Sequence, residues 1–92
     1  MAQDEPREFP IDGTLDLHIF RPGEVKDLVP GYLQACRDKG IYDVRIIHGK
    51  GTGALRRTVH AILDRLDYVE SYSLGGSGSG SWGATLVYLR GQ

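Results

Sequence analysis

"RIIHGKGTGALRRTVHAIL", residues 45–63, decides how the rest of the chain is read. It opens as an apolar run, passes through glycines at 49, 51 and 53, and continues with Leu55, Val59, Ile62 and Leu63 at helical spacing. A change of period from two residues to about 3.6 describes a strand that turns at the glycines into a helix. The same nineteen residues carry two histidines, four basic side chains and no acid. A helix start leaves about four backbone N–H groups without partners and concentrates partial positive charge. Glycines let backbone approach a ligand closely, so a turn of this make-up suits an anion such as phosphate. Read without a ligand, it is a tight strand-to-helix turn with Thr52 as N-cap.

Working outward, "TLDLHIF" (14–20) sets Leu15, Leu17 and Ile19 against Asp16 and His18, a strand with one face on a core. In "RPGEVKDLVPGYLQACRDKG", Val25, Leu28, Val29, Tyr32, Leu33 and Cys36 repeat with helical spacing from Pro22 until Gly40 ends the pattern. Pro30 falls inside that helix and predicts a bend. "YDVRIIH" (42–48) is the second strand, "YVESYSL" (68–74) the third, "GGSGSGSWG" (75–83) a flexible loop and "ATLVYLR" (84–90) the fourth strand. The order is β-α-β-α-β-β. Helix-length crossovers make the first three strands parallel and right-handed in connection, while the short last connection returns antiparallel. The predicted fold is α/β in the two-layer α+β sense: a four-stranded mixed sheet with both helices on one face. Residues 1–12 read as a flexible tail that Phe9 and Ile11 can pin, and residues 13–92 as the domain.

The bulk numbers fit that plan. Ninety-two residues, 40% apolar and 25% charged, suit one soluble domain. No apolar run approaches the roughly 20 residues of a membrane span, and the first residues lack a signal peptide's pattern. One cysteine, Cys36, excludes an internal disulfide, and it falls on the apolar stripe of the first helix. A cytoplasmic monomer away from membranes is expected. Net charge is −1, but no acid lies between Asp43 and Asp64 and none follows Glu70, so a segregated basic face is expected.

Parallel strands end on one edge of a sheet, where ligands of such folds bind. His18 near the end of the first strand, His48 and the glycine turn at the end of the second, and the Trp82 loop after the third should therefore meet on one rim. Asp16 and His18, two apart on a strand, should project from one face about 6–7 Å apart, where carboxylate and imidazole can orient each other. Alternatively Asp16 pairs with Arg45 on the neighbouring strand. His60, offset from the apolar stripe of the second helix, is expected on the surface. Trp82 can stack on a base or fold over the sheet.

"LDLH" at 15–18, "IIHGKGTGALRRTV" at 46–59 and a glycine-rich loop ending "WGATLVYL" at 82–89 resemble the small MutS-related (Smr) domain. The resemblance runs from about Gly13 to Leu89, with the paired LDxH and HGxG motifs about thirty residues apart. It implies a β-α-β-α-β-β fold and nucleic-acid cleavage: nicking of DNA, sometimes branched, or endonucleolytic cutting of RNA. Many members follow the first motif with glycine, whereas this sequence has Ile19 and Phe20. The motif positions carried over are Asp16, His18, His48, Gly49, Lys50 and Gly51. The expected catalytic residues are thus Asp16, His18 and His48. Phosphate and strand binding fall to Gly49, Lys50, Gly51, Gly53, Arg45, Arg56, Arg57 and Trp82. No cofactor is required by the residues; a divalent metal stays open, and one carboxylate is a thin basis for it. The alternative is a non-catalytic module that docks on nucleic acid or the ribosome through the same rim. A small-molecule phosphate binder is a weaker third reading.

Overall fold

A computed structural model describes residues 11–17, 20–49, 53–75 and 83–91. The elements run β1 (Thr14–Asp16), α1 (Pro22–Asp38), β2 (Asp43–Ile47), α2 (Ala54–Arg65), β3 (Val69–Leu74) and β4 (Ala84–Leu89). The strands form one sheet in the order β1-β2-β4-β3. β1 is parallel to β2, and β4 runs antiparallel to both of its neighbours. The first three strands therefore share a direction, as their helical crossovers require.

Strand alternation builds the core. Leu15 and Leu17, Val44 and Ile46, and Val87 and Leu89 join Val25, Val29, Leu33 and Cys36 of α1 and Val59 and Leu63 of α2 in a single cluster. One core fed by both helices puts both on one face of the sheet, the two-layer fold expected. Each of the larger side chains contributes about 1.5–3 kcal/mol by leaving water.

The helix ends follow from local chemistry. At the start of α1 the Glu24 carboxylate accepts the Arg21 N–H at 3.0 Å, and the Glu24 N–H donates to the Arg21 carbonyl at 2.9 Å. α1 runs unbroken through Pro30, whose carbonyl accepts the Tyr68 hydroxyl at 3.0 Å. Gly40, at φ 81°, turns the chain toward β2.

β1 is shorter than its sequence pattern. Alternation continues to Ile19 in the sequence, yet the strand ends at Asp16, where its partner β2 stops at Ile47. The Phe20 N–H donates to the Leu17 carbonyl at 2.9 Å. At the other end of β1, the Tyr32 hydroxyl accepts the Gly13 N–H at 3.1 Å and donates to the Thr14 carbonyl at 3.0 Å. Ile11 packs against the same core.

Candidate functional site

The carboxyl ends of β1, β2 and β3 and the start of β4 share one rim. There the backbone N–H groups of His48 and Gly49 both donate to the Gly83 carbonyl, each at 2.8 Å. The Gly75 N–H donates to the Ala84 carbonyl at 2.6 Å. Gly83 is thereby tied to the turn that follows β2, and Gly75 to the first residue of β4. Asp16, paired with Ile47, brings the end of β1 to the same border. His18, Lys50, Gly51 and Trp82 lie outside the described residues, so the expected 6–7 Å relation between Asp16 and His18 lies outside them too.

The two-residue period then separates the expected site residues. Val44 and Ile46 are buried against the helices while Asp43 and Arg45 are exposed, which places Arg45 on the open face of the sheet. Asp16, between buried Leu15 and Leu17, belongs to that open face as well. His48 goes the other way, toward the helices, and is only 5% exposed. Its Nδ1 lies 3.2 Å from the Gly49 carbonyl oxygen and its Nε2 lies 2.8 Å from Oγ1 of Thr85.

Thr85 brings in a residue expected elsewhere. Its Oγ1 is also 2.8 Å from Nε2 of His60, so His60 is a half-buried member of the cluster rather than a surface side chain. The His60 ring stands edge-on to that of His48 with centroids 6.2 Å apart, and lies 4.7 Å from the Tyr72 ring. The Tyr72 hydroxyl donates to Asp64 at 2.7 Å. The reason is a polar position in the sheet: Thr85 faces the helices between Val87 and the rim, and α2 offers it an imidazole. A threonine among β-formers reads in sequence as an ordinary strand residue, and its buried hydroxyl, with the Tyr72 ring, holds His60 in the cluster.

Charge completes the site. Burial pushes the His48 imidazole below its ordinary pKa, and Arg56 adds to the effect against the opposing Gly49 carbonyl. Burial likewise lowers His60, with His48 and Arg56 in the same sense and Asp64 against them. Gly53, not the expected Thr52, is the N-cap of α2; it has φ 92°, and no acid occupies the first turn. A Cβ at Gly53 would lie 2.9 Å from Nη2 of Arg56 and 3.3 Å from Nη1 of Arg57, so two guanidinium groups converge at the start of α2. Gly49, at φ 86°, needs the left-handed conformation that glycine adopts without strain. His48, Gly49, Gly53, Arg56 and Arg57 are thus gathered at one helix N-terminus, with Arg45 and Asp16 across the sheet. Among the described residues no group of three or more His, Cys, Asp or Glu is placed to hold a metal ion, and no helix is long and apolar enough to cross a membrane.

Together these features define a small two-layer α+β domain with a basic, glycine-lined turn on the carboxyl rim of its sheet. Residues 15–90 match the Smr domain family, and the chain belongs to it. It is 46% identical over 80 residues to a protein named Endonuclease MutS2 from Lachnoclostridium phytofermentans, covering 87% of this chain and 10% of that one. A relative of the same name from Halothermothrix orenii is 39% identical over 80 residues, again 87% of this chain and 10% of the relative. The chain therefore spans about a tenth of the length of these curated relatives. The crystal structure of the Smr domain of Thermus thermophilus MutS2 superposes with a TM-score of 0.77 at 38% identity, covering 84% of this chain and 96% of that one. YdaL, a stand-alone small MutS-related protein from Escherichia coli, gives a TM-score of 0.79 at 29% identity over 90% of this chain and 68% of its own.

Proposed function

We propose that this domain binds nucleic acid at the β2–α2 turn and cleaves a phosphodiester bond on the adjoining rim. The observation that carries the reading is the convergence of Arg56 and Arg57 on Gly53 at a helix start without acids, an arrangement whose complement is a phosphate. Membership of the Smr family and relatives named as endonucleases support it.

In this reading the glycines at 49, 51 and 53, with Lys50, Arg56 and Arg57, grip the scissile phosphate. Asp16 and His18 carry the proton transfer, the carboxylate orienting the imidazole. His48, expected among the catalytic residues, contributes in this reading by holding the turn rather than by moving a proton, since both of its ring nitrogens are engaged inside the protein. The polynucleotide crosses the rim from the cradle toward the open face, where Arg45 and Asp16 lie, and Trp82 stacks on a base. On RNA, a base removes the 2′-hydroxyl proton, the 2′-oxygen attacks phosphorus, and the departing 5′-oxygen takes a proton from an acid. On DNA, water is the nucleophile. Wild type and an Asp16→Ala/His18→Ala double variant, given labelled RNA and nicked or branched DNA with and without chelator, provide the test. Cleavage by wild type and loss of it in the variant are expected; equal cleavage by both overturns the assignment.

The engagement of both His48 nitrogens, together with its burial, favours one second reading: a binding module that docks on nucleic acid or the ribosome without cutting. It is distinguished by salt-dependent binding with no cleavage in any arm of the same panel.

A further inference from the structure

Thr85 presents one hydroxyl hydrogen to two imidazole nitrogens, Nε2 of His48 and Nε2 of His60, each 2.8 Å from its oxygen. It can donate to only one of them, and the other must donate to it. The far side of His48 decides which. Its Nδ1 lies 3.2 Å from the Gly49 carbonyl oxygen, a group that only accepts. Nδ1 therefore carries the hydrogen, and in a neutral ring Nε2 is left bare. Thr85 then donates to His48, and the Nε2–H of His60 donates to Thr85. The reverse order would set a lone pair of His48 against the carbonyl oxygen.

The bonds thus run in one sense, from His60 on α2 through Thr85 on β4 to His48 and on to the Gly49 carbonyl. Bonds aligned this way polarise one another. Thr85 is 0% exposed and His48 5%, so water offers neither a ready substitute. Burial also favours the neutral rings that this pattern needs.

We propose that Thr85 and His60 are positioning residues of the phosphate-binding turn: they hold His48 as its Nδ1–H tautomer, and that N–H pins the Gly49 carbonyl inward. The functional half of this inference rests on the anion-binding reading of the turn; the tautomers do not. His60 acts here as a hydrogen-bond donor and moves no proton.

Long-range ¹H–¹⁵N spectra of labelled protein near neutral pH report which nitrogen of each ring bears hydrogen. The expected result is Nδ1 for His48 and Nε2 for His60. Thr85→Val keeps the shape and removes the hydroxyl; the His48 Nδ1–H signal should be lost to solvent exchange, and affinity for a short fluorescent single-stranded oligonucleotide should fall about tenfold. Thr85→Ser, which restores the hydroxyl, should restore both. His60→Leu should bind about threefold more weakly, and His60→Gln, which places an amide N–H where Nε2 stood, should recover part of that loss. A His48 ring protonated on Nε2 in wild type overturns the proposal, as does a folded Thr85→Val variant with unchanged affinity. Wild type that binds neither DNA nor RNA overturns the anion-binding reading. Tautomers of the opposite kind overturn the positioning pair even where binding is strong.

Discussion

The backbone N–H of His48 donates to the carbonyl of Gly83 at 2.8 Å. That bond ties the glycine turn after β2 to the residue that leads into β4. Two motifs that stand far apart in the sequence become one border, and a displacement at either is felt by the other.

Arg56 and Arg57 converge on the start of α2, so neutralising them should weaken nucleic-acid binding in a salt-dependent manner. Arg56→Ala or Arg57→Ala is expected to reduce the slope of log affinity against log salt by about 0.7 on single strands. Arg45→Ala, on the opposite face, is expected to change that slope less. Anisotropy titrations at several salt concentrations check all three.

Gly53 combines a φ of 92° with two guanidinium groups in the space a Cβ would take. Gly53→Ala is expected to destabilise the fold by about 1–2 kcal/mol through backbone strain. It should also push Arg56 aside and weaken oligonucleotide binding. Urea unfolding and the same anisotropy titration separate the two effects.

His48 and His60 both have folded pKa values below the ordinary 6.5, so the unfolded chain takes up protons that the native state resists. Their contribution to stability is full above pH 6.5 and is lost as pH falls from there through the lowered folded values. Unfolding free energies measured from about pH 8 to 5 should decline across that window. His60→Gln should make the decline shallower.

Tyr32→Phe removes the hydroxyl that bridges Gly13 and Thr14. It leaves the Gly13 N–H unsatisfied in a buried place, at a cost of about 1–3 kcal/mol. For a domain of this size that lowers Tm by about 4–8 °C per kcal/mol. Calorimetry checks the shift, and hydrogen exchange should show the loss of protection concentrated in β1.

Much of the fold could be read from where the apolar period changes. Val44 and Ile46 on a period of two, and Val59 and Leu63 on a helical period, meet in one core because a glycine turn separates them. Crossover lengths then dictate the strand directions. The length of β1 was not legible, since a strand ends where its partner does, and that partner, Ile47, lies in another segment. For the site, local pattern located the turn and its basic residues. It did not pair His60 with Thr85, because alternation tells which face a residue takes but not which polar group waits across it. The separation of Arg45 and Asp16 from the cradle was within reach of the same alternation: both neighbours of each are core residues.

β4 is the last of the described strands in sequence, yet it lies between β2 and β3. During synthesis the β1–β2 pair and β3 emerge first, joined through α2 but with no strand between them to complete the sheet. Only the arrival of residues 84–89 closes the gap, so completion of the sheet waits for the final segment of the domain. A premature stop ahead of Ala84 would not yield a shortened sheet; it would leave the β1–β2 pair and β3 connected only through α2, with exposed edges open to chaperones, proteases or self-association.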